Sequence, residues 1–64
     1  MPPKVSEILD LLRREGWVLV AQRGSHRQFV HPIKPGRVTV AGKPSKDLPH
    51  VLYKSILKQA GLKR

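Results

Sequence analysis

A chain of 64 residues with 13 Lys and Arg against 4 Asp and Glu carries a formal net charge of +9, which favours polyanionic ligands, nucleic acid first and an acidic protein second. The length allows one domain, residues 1–64, and a domain of this size buries only roughly 60% of its unfolded surface, so there is no room for a separate catalytic unit. With no cysteine and three widely spaced histidines there is no disulfide framework and no metal-ligand pattern, and no stretch approaches the roughly 18 apolar residues of a membrane span; the expectation is a cytoplasmic protein working without metal, cofactor or membrane.

Taken in chain order, the first element is a helix: Val5, Ile8, Leu9 and Leu12 follow i, i+3, i+4, i+7 spacing, with Glu7, Asp10, Arg13 and Arg14 on other faces. Pro2 and Pro3 suit its entry, Arg13 and Arg14 its negative end, and Gly16 a left-handed stop. The period then changes to two. Trp17 to Arg23 is rich in β-formers and ends at Gly24-Ser25. His26 to His31 alternates, placing His26, Gln28 and Val30 on one side and Arg27, Phe29 and His31 on the other, with Phe29 toward the core.

Pro32 to Gly36 is turn chemistry, and Arg37-Val38-Thr39-Val40 makes a third short strand. The polar connection from Ala41 to Leu48 is too long for a tight hairpin and is expected to reach a ligand. The last helix is marked by Leu52, Ile56 and Ala60, supported by Leu57, with Pro49 in its first turn, Gly61 at its end and Leu62 packing back on the last turn. The fold class is therefore α+β, in the order α-β-β-β-α: a three-stranded antiparallel meander with two amphipathic helices covering one face. The opposite face, or the rim formed by the Gly24-Ser25 turn and the 41–48 connection, is left for a ligand.

His26 sits just past that turn, with Arg23 and Arg27 close by in sequence. An imidazole, ordinarily titrating at about 6.5, can exchange protons near neutrality while guanidinium groups hold a phosphodiester. On these residues alone His26 is either a general base or a solvated polar side chain next to a turn, and Gly24 either supports the site or simply serves the backbone. Arg23, Arg27, Lys43 and Lys46 are candidate phosphate contacts, and equally ordinary solvated charges. His31, five residues on in an alternating strand, points away from His26 and reads as structural; His50 reads as surface. Trp17 is expected in the core, whereas Tyr53 can lie at the core edge or outside it.

Gly16-Trp17, Arg23-Gly24-Ser25-His26, Phe29, His31-Pro32, Val38-Thr39-Val40, Leu48-Pro49 and Ser55-Ile56-Leu57-Lys58-Gln59-Ala60-Gly61-Leu62 together resemble HicA, the toxin half of HicA/HicB toxin–antitoxin pairs, over nearly the whole chain. The resemblance implies a double-stranded-RNA-binding-domain-like fold, an mRNA interferase activity and inhibition by a HicB-type antitoxin. It maps the family's catalytic histidine onto His26 and its preceding glycine onto Gly24, with Ser25 in the supporting turn. The chain departs from many relatives in carrying His50-Val51-Leu52 after Leu48-Pro49, and Gly42-Lys43 where they have Gly-His. The helix starting near Pro49 also lacks the dense lysine cluster with which double-stranded-RNA-binding domains grip a duplex, so binding of long duplexes is not implied. Two other classes, a non-catalytic RNA-binding module and a protein-interaction domain, use the same charge and fold.

Overall fold

The computed structural model of the chain describes residues 2–62 and has the order α1 (Val5–Arg14), β1 (Val18–Arg23), β2 (His26–Val30), β3 (Arg37–Val40) and α2 (His50–Gln59). The strands form one antiparallel sheet in the order β1-β2-β3, the expected meander. Phe29, Val38 and Val40 point to one side of it and are buried with Val5, Ile8, Leu9 and Leu12 of α1 and Ile56 and Leu57 of α2. Both helices therefore cover the same face. Trp17, Leu48 and Ala60 complete this core, and no buried residue is polar or charged among the described residues.

The helix ends are set by local hydrogen bonding. At the start of α1 the Glu7 carboxylate accepts the Lys4 backbone N–H at 2.6 Å, the reciprocal half of a capping box. The helix closes as a Schellman turn: Gly16 N–H donates to Arg13 C=O and Trp17 N–H to Leu12 C=O, with Gly16 at φ 91° and Trp17 as the apolar residue that packs beneath. The end of α2 repeats the pattern, Gly61 N–H to Lys58 C=O and Leu62 N–H to Leu57 C=O, and Leu62 packs against the core as expected. Pro49 precedes α2 as its cap residue rather than occupying its first turn.

Leu52 departs from the expected core stripe and is 52% exposed. Of the strands, α2 packs chiefly on β3, a four-residue edge strand. That strand turns only Val38 and Val40 inward, too little apolar surface to cover a third helical position beyond Ile56 and Ala60. Tyr53 is half-buried at the edge of the core, its ring 6.3 Å from that of the exposed His50.

The connection from Ala41 to Leu48 is not a free arm. Its Pro44 and Lys46 carbonyls accept the Ser6 and Val5 N–H groups, and Leu48 N–H donates to Pro3 C=O. It thus satisfies donors that the first turn of a helix leaves without partners. The Lys4–Asp47 ion pair, 2.6 Å and half exposed, lies on the same seam.

Candidate active site

The position of His26 follows from a two-residue hairpin. Gly24 has φ 59° while Ser25 keeps an ordinary negative φ, the pattern of a type II′ turn, whose twist suits antiparallel strands. Gln22 Nε2 braces the turn by donating to Gly24 C=O at 3.1 Å. In this register His26 is the first residue of β2 and stands directly across from Arg23. A Cβ on Gly24 would meet nothing within 4 Å, so the glycine is required by backbone conformation and not by space.

Alternation places His26, Gln28 and Val30 on the sheet face that bears no helix, since Phe29 between them is buried beneath the helices. Pairing adds Arg23 and Ala21 from β1 and Thr39 and Arg37 from β3 to that same face. His26 is exposed. The face is an open surface: cavities of about 250 and 550 Å³ lie instead among residues of α1, α2 and the 41–48 seam, and neither includes His26.

The four basic residues expected near the phosphate take different places. Arg23 is across from His26 and exposed. Arg27 lies on the other face, half-buried, and one of its guanidinium nitrogens donates to Ser25 C=O at 3.3 Å and to Gly42 C=O at 3.0 Å. It ties the Gly24-Ser25 turn to the start of the 41–48 connection. Lys43 follows Gly42 at that junction and Lys46 stands further along, over the first turn of α1; both are exposed. Arg27, Gly42 and Ser25 are thus joined, whereas Lys46 is not part of that contact.

His31 stands apart from the site, as its strand position implies. Its Nδ1 accepts the Ile33 and Lys34 N–H groups at 3.0 and 3.1 Å, and Nε2 lies 3.0 Å from Glu15 C=O. The ring also meets Trp17 edge to face at 5.3 Å. The alternation of β2 already sets Gln28 beside His26, but the sequence gives it no partner and does not bring Arg37 to that face. Arg37 donates to Gln28 Oε1 at 2.7 Å, a contact that depends on strand register and so on the length of the Pro32–Gly36 turn.

Among the described residues no group of three or more His, Cys, Asp or Glu side chains could hold a metal ion, and no helix is long and apolar enough to cross a membrane. No curated protein matches the chain. A family model does: the HicA toxin of bacterial toxin–antitoxin systems, over residues 5–62.

Proposed function

Since this chain belongs to the HicA toxin family of bacterial toxin–antitoxin systems, we propose that it exerts toxicity as an endoribonuclease cleaving mRNA in the cytoplasm, with His26 as general base. The observation that carries this reading is the exposed imidazole on the helix-free face, opposite Arg23 and just past a two-residue turn braced by Gln22.

RNA supplies its own nucleophile, so the reaction needs no metal to generate one. His26 takes the proton of a 2′-hydroxyl, the 2′-oxygen forms a bond to phosphorus, and the bond from phosphorus to the 5′-oxygen breaks. The departing oxygen takes a proton from solvent. Arg23 offers charge to the non-bridging oxygens of the phosphorane, where it is needed most, with Lys43 as a further contact. Arg27 acts on the site by fixing the Ser25 turn. The products are a 2′,3′-cyclic phosphate and a 5′-hydroxyl.

A HicB-type antitoxin fits as the inhibitor, covering the basic open face and with it His26; an acidic surface on that partner would complement the net charge of +9.

The test compares wild type with His26→Ala for growth arrest and for cleavage of purified RNA in the presence of chelator. Only the wild type should cut, both should unfold alike because His26 is exposed, and added antitoxin should suppress the cutting. Ends carrying a 3′-hydroxyl and a 5′-phosphate would rule out the mechanism. An active His26→Ala protein would remove His26 from its role, and RNA binding by a wild type that never cuts would leave an RNA-binding module.

A further inference from the structure

All four acidic residues, Glu7, Asp10, Glu15 and Asp47, lie on α1, at its end or in the 41–48 connection. The three strands contain Arg23, Arg27 and Arg37 and no acid. Arg27 is turned to the helix side and committed to backbone carbonyls, so the open face keeps two guanidinium groups, one on each strand flanking His26. Arg37 differs from an ordinary solvated arginine in being held. Its Nη1 donates to Gln28 Oε1 at 2.7 Å, and the amide must present oxygen rather than NH₂ to a group that only donates.

Arg37 pairs with Val30 while its side chain reaches back to Gln28, which neighbours His26 on the same face. Gln28 lies about 6.6 Å along β2 from His26, at ~3.3 Å per residue, a distance comparable to the step between successive phosphates of an extended strand. The acceptor is neutral, so the guanidinium keeps its full charge, and a guanidinium has donors to spare after one is used. No acidic side chain forms an ion pair with it among the described residues.

We propose that Arg37, positioned by Gln28, is a second phosphate-binding site on the open sheet face, holding the phosphodiester next to the one cut at His26. Resting on the reading of His26 as the base that cuts RNA, this names the track on which a single strand lies: across the sheet from Arg23, over His26, to Arg37. Gln28 touches no substrate in this arrangement and acts through Arg37.

The experiment uses a short single-stranded RNA oligonucleotide. Binding is followed in the His26→Ala background across a salt titration, and cleavage kinetics in the otherwise wild-type chain. Arg37→Gln should weaken binding about tenfold and reduce the slope of log affinity against log salt by about 0.7, one phosphate on a single strand. In cleavage, KM should rise more than kcat falls. Gln28→Met, which keeps the charge and removes the acceptor, should raise KM in the same sense with the salt slope unchanged, a split that loss of fold does not produce. Lys54→Gln on exposed α2 removes the same charge elsewhere and should leave both measurements near wild type. Arg37→Gln indistinguishable from Lys54→Gln, in a protein whose cutting still depends on His26, would overturn the second site and leave the nuclease reading intact. Arg37-dependent binding in a wild type that never cuts would do the reverse, and absence of both binding and cutting would overturn both.

Discussion

The His31 ring joins two turns far apart in sequence. Because Nδ1 accepts two backbone N–H groups, the ring proton must reside on Nε2, from where it donates to Glu15 C=O. The turn after β2 is thereby fastened to the end of α1. Gly16 makes the approach possible: a Cβ there would come within 2.9 Å of His31 Nε2, and the glycine already sits at φ 91°. His31→Phe keeps the edge contact with Trp17 but forfeits three hydrogen bonds, each worth about 1 kcal/mol net; its urea midpoint should correspond to a loss of about 2–3 kcal/mol. Gly16→Ala should cost more than 1 kcal/mol, since strain in φ and the clash add. A ¹⁵N-edited spectrum of the wild type should show the Nε2–H tautomer for His31. Trp17 has a compensating feature: its Nε1 is buried and has no hydrogen-bond partner among the described residues. Trp17→Phe should therefore be milder in urea than the ~3–5 kcal/mol expected for truncation to alanine, as it also deletes an unsatisfied donor.

At the scale of elements, period and punctuation were the legible part. Val5, Ile8, Leu9 and Leu12 name the buried face of α1 from spacing alone, and Gly16 and Gly61 mark both helix ends, because each is a local property of a few residues. Leu52 was misread since its spacing to Ile56 says which face it shares, not how far the sheet beneath extends. Leu52→Gln should change stability by less than about 0.5 kcal/mol, whereas Ile56→Ala should cost about 2–5 kcal/mol, a contrast that denaturant unfolding resolves. At the site, the turn and His26 could be located from sequence, and alternation put Arg27 on the side of Phe29. That its guanidinium would close onto Gly42 C=O, and that Arg37 would meet Gln28, depended on tertiary docking and on register. Strand β1 adds a further expectation. All six of its residues are exposed and it pairs only with β2, so by hydrogen exchange its outward-facing amides should be nearly unprotected while those of β2, paired on both sides, should be the slowest in the sheet.

For the molecule as a whole, the net charge of +9 favours a polyanion such as the RNA proposed above, without saying where on the surface it would lie. The distribution is more informative: the acids gather on the α1 side, where Asp10 and Asp47 pair with Arg13 and Lys4, and the sheet is left uniformly basic. Overall charge and local placement make different demands on two substitutions that alter net charge equally. Arg23→Glu puts a carboxylate across from His26, where it repels the phosphate and favours the protonated imidazole, the form unable to act as base. Lys54→Glu makes the same change on exposed α2, where its effect reaches the site only through solvent and is screened beyond roughly 8 Å at physiological salt. If long-range attraction governs, both variants lose activity alike. With RNA held on the open face, Arg23→Glu should lower kcat/KM by at least about tenfold relative to Lys54→Glu, a loss of ~1.4 kcal/mol of transition-state stabilisation. That ratio should persist at high salt, where the contribution of Lys54 fades and the contact at Arg23 remains.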